Sequence, residues 1–204
     1  MELKFVEISD IADDLLLPWL DLYETSFPPV ERVLVSDHLR VLKNKAQGLS
    51  RDQYLMGGLD ESGNLVAMMR FSLCIEERVA LLWYIAVSPD ARNLGFGARC
   101  YAEVKRIAIE FGARMVIFEV ERPEDFADPS LREIAQRRIE FYRRQGAELM
   151  LGVSYIMSVG PHQPEIPMHI MVDAYETLSS NEIIEVAESI FGERLRRTGA
   201  IVME

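Results

Sequence analysis

Cysteine is nearly absent: Cys74 and Cys100 are the two in a chain of 204 residues. Two thiols exclude a disulfide framework and a thiolate zinc site, and read as small buried hydrophobes. The three histidines, His38, His162 and His169, are too scattered for metal-ligand spacing, so no metal is expected. Long apolar runs are missing too. The longest, around Val79 to Val87, falls far short of the roughly 20 residues a membrane-spanning helix needs, which argues against a membrane partner. Positive charge is scarce: 22 Lys and Arg against 33 Asp and Glu leave a formal charge of -11. Such a surface repels a phosphate backbone and excludes general nucleic-acid binding. It favours a cationic substrate, although an acidic surface also serves solubility alone. The first residues mix acids with apolar side chains and lack the continuous apolar segment of a secretory leader. The expectation is a cytoplasmic, soluble protein without repeats or low-complexity tracts.

What is present is apolar material for a sizeable core, 49% of the residues, and a length that suits one domain over residues 1–204. Residues 2–8 read as a first strand, and Asp10 as the cap of a helical region through Phe27; Pro18 would kink a single helix or sit near the start of a second one over 18–25, so a break is expected there. Residues 33–45 carry apolar positions at helical spacing. Three strands follow at 53–59, 65–75 and 79–87, with connections short enough for an antiparallel meander. A helix with Tyr101, Val104, Ile107, Ala108 and Phe111 on one face leads to a buried strand at 115–120. That strand–helix–strand unit makes its two strands parallel. A helix at 129–144, with Leu131, Ile134, Ala135, Ile139 and Tyr142 near one face, precedes a closing pair of strands at 149–159 and 166–172. The capping-box pattern Ser179-x-x-Glu182 then opens a last helix, about 180–192.

The most informative stretch runs from Leu81 to Arg99. An apolar strand ending Ile85-Ala86-Val87-Ser88-Pro89 is followed by a turn, Arg92-Asn93-Leu94-Gly95-Phe96-Gly97-Ala98, that opens a helix. Unpaired amides at the positive end of a helix are suited to a pyrophosphate. The dinucleotide fingerprint Gly-x-Gly-x-x-Gly fails at Cys100, and no Gly-Lys-Ser/Thr exists for a triphosphate loop. Two glycines alone also mark an ordinary strand-to-helix corner.

Arg92-x-x-Gly95-x-Gly97 resembles the Arg/Gln-x-x-Gly-x-Gly/Ala segment of the GNAT superfamily of acetyl-CoA-dependent N-acetyltransferases. Phe141-Tyr142-x-x-x-Gly146 resembles the segment that closes the same family's core, with Ala147 where a second aromatic would stand. The resemblance spans about residues 2–173. It implies an α/β (α+β) fold of the GNAT type, with a mixed central sheet of about seven strands, one crossover and flanking helices. It further implies that residues 92–98 hold the pyrophosphate of acetyl-CoA, and that the strand through Ile85, Ala86 and Val87 diverges from the one ending near Val120, leaving a gap for the pantetheine arm.

Transfer to an amine needs a neutral nitrogen, a polarised carbonyl and a stabilised leaving thiolate. Tyr142 matches the family tyrosine that points to the sulfur; an amphipathic-helix tyrosine covering the core is the plainer alternative. Many relatives carry a glutamate on the strand before the glycine turn, but Leu81-Leu82-Trp83-Tyr84 has no carboxylate. By the period of two, Glu119 and Glu121 share one face of the next strand, and Glu119 is the first candidate base. Solvated charges at a strand end are the ordinary reading of both. Ala135 stands where many relatives place a coenzyme-contacting asparagine, and Arg137 and Arg138 are candidates to meet phosphates instead. His169 is a candidate base or ligand, with a satisfied structural histidine as the ordinary reading. Glu31, between the first helices, is a candidate to hold a cationic acceptor, as is Glu121.

The resemblance therefore implies an enzyme that moves an acetyl group from acetyl-CoA to a primary amine of a small molecule or peptide, with a homodimer as a further possibility. A coenzyme-binding module without catalysis and a transferase of larger acyl groups remain alternatives.

Overall fold

The computed structural model describes residues 2–160 and 163–204; His162 lies outside them. Its centre is one mixed sheet of eight strands in the order β1-β2-β3-β4-β5-β7-β6-β8. These are β1 (Lys4–Ile8), β2 (Gln53–Leu59), β3 (Leu65–Cys74), β4 (Val79–Val87), β5 (Met115–Glu121), β6 (Glu148–Met157), β7 (Ile166–Ala174) and β8 (Leu195–Met203). Every neighbouring pair is antiparallel except β4 and β5, which are parallel and joined by the helical crossover. Among the described residues five α-helices flank the sheet: α1 (Leu16–Ser26), α2 (Val35–Ala46), α3 (Phe96–Glu110), α4 (Pro129–Arg144) and α5 (Ser180–Phe191).

Strand alternation distributes side chains to two covered faces. On one, Met69, Phe71, Leu82, Val116 and Phe118 pack with Cys100, Tyr101 and Val104 of α3 and Ile139 and Tyr142 of α4. On the other, Ile8, Leu55, Met68 and Tyr84 meet Trp19, Leu22 and Tyr23 of α1 and Leu42 of α2. Further along that second face, Met115, Ile117, Ile170 and Val172 meet Ile183, Ile184 and Ala187 of α5. Each large apolar side chain so buried is worth about 1.5–3 kcal/mol relative to exposure, which fixes the register of strands that contribute to both cores.

Several sequence expectations change. Of the two expectations for Pro18, the second is the one found: there is no helix from Asp10 to kink, α1 begins at Leu16, and the proline sits in its first turn, where its missing N–H has no intrahelical partner to lose. Asp10 instead closes a turn by accepting from the Ala12 amide at 2.8 Å. Leu131 and Ile134 of α4 and Phe111 beside α3 are exposed, leaving narrower buried stripes than the apolar pattern implied. The capping box at Ser179 and Glu182 is formed from both sides. An eighth strand, β8, lies beside β6; its Arg196-Arg197-Thr198-Gly199 stretch is exposed and lacks the alternation that marks a half-buried strand.

Candidate active site

Two irregularities in β4 make the site. The first is a bulge. Arg70 of β3 is opposite Tyr84 and Phe71 is opposite Leu82, so Trp83 is an extra residue. Before it, Ala80 and Leu82 face α3 and α4; after it, Ile85 and Val87 do, while Tyr84 and Ala86 turn to α1. The second is a parting of strands. β4 and β5 pair only through Val79, Ala80 and Leu81 against Met115, Val116 and Ile117. Beyond Leu81 that edge of β4 has no strand neighbour among the described residues, and a cleft of about 550 Å³ opens there. Leu82 to Val87, Phe118, Glu119, Glu121, Glu31 and Tyr142 are among the residues that line it.

At the C-terminal end of β4, Asn93 and Gly95 adopt left-handed conformations, with φ of +63° and +78°. Asparagine and glycine are the residues that visit this region most readily. Gly95 caps α3, no side chain caps its amides, and its first turn has no acidic residue. The N–H groups of Phe96, Gly97 and Ala98 therefore have no intrahelical acceptor. Asn93, Leu94 and Gly95 are exposed, and Gly97 lines the cleft. Arg92 also lines it and donates from Nε to the Val87 carbonyl at 3.3 Å. Ile85, Ala86 and Val87 pair with Met69, Met68 and Ala67 on their other side.

Tyr142 is 5% exposed and packs on Phe118, with ring centroids 4.4 Å apart. Burial pushes its phenol well above the ordinary range. Because Phe118 and Val120 belong to the α3/α4 core, Glu119 and Glu121 emerge on the opposite face of the sheet. Glu121 forms an ion pair with Arg138 of α4. Glu119 accepts a hydrogen bond from the Tyr155 hydroxyl of β6; burial raises its proton affinity, and the Tyr155 bond and Arg194 oppose the rise.

Glu31 ends a short 3-10 turn between α1 and α2. The Tyr84 hydroxyl donates to the Glu31 carbonyl at 2.8 Å and accepts from the Val33 amide at 3.1 Å. The cleft therefore brings together Glu31, Glu119, Glu121 and Arg138, residues from two elements, β5 and α4, and one connection. The Glu31 carboxyl is pushed up to about 7, chiefly by burial, then by the charge of Glu121, against the pull of Arg138.

Not every candidate belongs here. His169 faces Glu124, with Nε2 3.0 Å from its carboxylate, in a separate depression beside Arg132 and Arg143. Arg137 lines the cleft but pairs with Glu133 along α4, and Arg138 is committed to Glu121. Ala135 is buried. Tyr84, Tyr155 and Arg194 escaped the sequence reading, since their roles depend on contacts across distant strands. Among the described residues no group of three or more His, Cys, Asp and Glu is arranged to hold a metal ion, and no helix is long and apolar enough to cross a membrane.

The acetyltransferase (GNAT) family model matches residues 16–147. The chain belongs to the GNAT acetyltransferase family. Among solved structures it is similar to a GNAT-family protein from Bacteroides thetaiotaomicron, with 21% identity, a TM-score of 0.69, and coverage of 93% of this chain and 98% of that one. It is also similar to a phosphinothricin acetyltransferase from Sinorhizobium meliloti in complex with AcCoA, with 20% identity, a TM-score of 0.57, and coverage of 85% and 89%. An IAA acetyltransferase from Bacillus cereus ATCC 14579 shares 9% identity at a TM-score of 0.54, with coverage of 85% and 99%. These likenesses establish the fold. No curated protein matches the sequence.

Proposed function

We propose that the chain, working as one domain in the cytoplasm, transfers an acetyl group from acetyl-CoA to a primary amine of a small molecule or peptide. The observation that carries this reading is the parting of β4 from β5 after three residue pairs, with the uncapped start of α3 beside the opening. The residues present suit the coenzyme. A helix start with no capping side chain and no acidic group in its first turn favours an anion. The unpaired edge of β4 from Ile85 to Val87 offers main-chain groups to an extended amide-containing arm. The coenzyme supplies an acyl group activated as a thioester.

The protein's own part is orientation and proton handling. The amides of residues 93–98 and Arg92 hold the phosphates. Tyr142, on the α4 side, donates its proton to the departing sulfur; burial keeps the hydroxyl protonated but also makes it a weaker acid, so the transfer depends on the charge that develops on sulfur. An alkyl ammonium near pKa 10.4 must lose a proton before it can attack, and the carboxylates on the opposite face supply acceptors for it. The acidic end of the cleft also favours an acceptor that arrives as a cation. Glu119, the first candidate base, is already engaged by Tyr155, and Glu121 by Arg138.

Release of free thiol from acetyl-CoA across a panel of primary amines, alcohols and longer acyl-CoA donors tests the reading. Amine-dependent release with acetyl-CoA is expected. Release only with alcohols, or only with longer donors, redirects it. Binding without release under every condition leaves a coenzyme-binding module, and no uptake of coenzyme A at high excess removes the assignment.

A further inference from the structure

Three carboxylates share one end of the cleft, but their surroundings differ. Glu121 is ion-paired with Arg138, and Glu119 is held by the Tyr155 hydroxyl with Arg194 nearby. The Glu31 carboxylate has neither a hydrogen bond nor an ion pair among the described residues, although it lines the cleft and is sheltered from solvent. Its backbone is firmly placed. The Glu31 amide donates to the Pro28 carbonyl at 3.0 Å, Tyr84 ties its carbonyl to β4, and Tyr23 donates to the Val33 carbonyl at 3.0 Å. A rigid support with an uncommitted carboxylate is what a positioned proton acceptor requires.

We propose that Glu31 is the general base: it takes a proton from the acceptor's ammonium group, while Glu119 and Glu121 draw that cation to it. This rests on the reading of the protein as an amine acetyltransferase.

The electrostatics support the geometry. The charged groups facing Glu31 are Glu119 and Glu121 of β5 and Arg138 of α4, with Tyr84 of β4 and Tyr142 of α4 lining the same cleft. Burial and the two like charges raise the Glu31 carboxyl from 4.5 to about 7. Against an amine near 10.4, that shift narrows the mismatch in proton affinity from about six powers of ten to between three and four.

The protons balance as follows. The ammonium gives one to Glu31, and the nitrogen lone pair forms the C–N bond at the thioester carbonyl while the C–S bond breaks. Sulfur keeps the bonding pair and takes the Tyr142 proton. The nitrogen returns its surplus proton to Tyr142, and Glu31 passes its own to water. One proton is released per turnover.

The test uses the full chain and two readouts. In the coenzyme-free protein labelled with carboxyl-¹³C glutamate, a resonance with a midpoint near 7 should be present in the wild type and absent from Glu31→Gln. A Glu31 midpoint in the ordinary carboxylate range overturns the proposal. With acetyl-CoA and an accepted amine such as 1,4-diaminobutane, Glu31→Gln should lower kcat by about 100-fold or more and abolish the rise in rate through neutral pH, with coenzyme A affinity unchanged. Glu31→Asp should restore part of the rate and the limb, which separates lost chemistry from lost folding. Glu119→Gln, by removing a like charge, should move the limb to lower pH without abolishing it. Wild-type rate and profile in Glu31→Gln overturn the proposal alone; absence of amine-dependent thiol release in the wild type overturns the parent reading.

Discussion

Substitution of Gly95 and Gly97 by alanine should affect stability with opposite signs. Gly95 has φ of +78°, and a Cβ built there meets nothing within 4 Å. The cost of Gly95→Ala is therefore backbone strain without a clash, about 1–2 kcal/mol for an L-residue in the left-handed region. Gly97 lies inside the first turn of α3. A Cβ there would touch the Phe141 ring at 3.5 and 3.6 Å and Val87 at 4.0 Å, all ordinary contacts. Alanine then gains helix propensity of up to about 0.5–1 kcal/mol over glycine. Binding adds a constraint. If Gly95→Ala relaxes to negative φ in the free protein, the strain is deferred to the complex, because the amides must be re-aimed to meet a phosphate. The stability loss and the binding loss should then sum to no more than about 2 kcal/mol, which caps the rise in Kd for coenzyme A near 30-fold. Gly97→Ala should keep affinity, its methyl lying against Phe141. Urea denaturation and titration calorimetry measure both axes. If Gly95→Ala loses nothing on either, or Gly97→Ala weakens coenzyme A more than Gly95→Ala does, the backbone argument is wrong.

Tyr142→Phe should keep the ring packing on Phe118 and coenzyme A affinity while lowering kcat by about 100-fold, read by steady-state thiol release. Arg138→Gln removes the positive charge that opposes protonation of Glu31, so the pH at which the rate rises should move upward in a pH–kcat/KM profile. Ser179→Ala deletes the capping box of α5 and should cost about 0.5–2 kcal/mol in urea denaturation, with coenzyme A affinity unchanged.

Legibility in the sequence followed the range of the interactions. The β2–β3–β4 meander, the crossover through α3 and the capping box of α5 are written in local periodicity and turn residues, and their boundaries match within a residue or two. The glycine turn was equally visible, because positive φ and an uncapped helix start depend on neighbouring residues. The bulge at Trp83 was not visible: β4 is apolar throughout, so no polar residue betrays the change of parity between Leu82 and Ile85. The acidic end was legible only as isolated carboxylates. Glu31 acquires its environment from Tyr84, Glu121 and Arg138, separated from it by 53, 90 and 107 positions in sequence. No window contains such a group. β8 was hidden for a different reason: as an edge strand with an exposed polar stretch, it needs no alternation to pair.

The two faces of the sheet constrain how proton transfer can be divided. Tyr142 approaches the gap from the α3/α4 core, in contact with Phe118. Glu119 and Glu121 leave β5 on the other face, and Glu31 is fixed to that side through Tyr84, which packs with α1. The proton given to sulfur and the first proton taken from nitrogen are thus handled from opposite sides of the cleft, by groups with no hydrogen bond to each other. Arg138 and Glu121 bear on both Tyr142 and Glu31, but Tyr142→Phe removes only a neutral hydroxyl and leaves both charges in place. Glu31 should therefore continue to titrate in Tyr142→Phe, and the residual activity should still rise through neutral pH. A flat profile in that variant would mean that the limb belongs to Tyr142 or to a unit containing both residues, and the division of labour across the sheet would have to be abandoned.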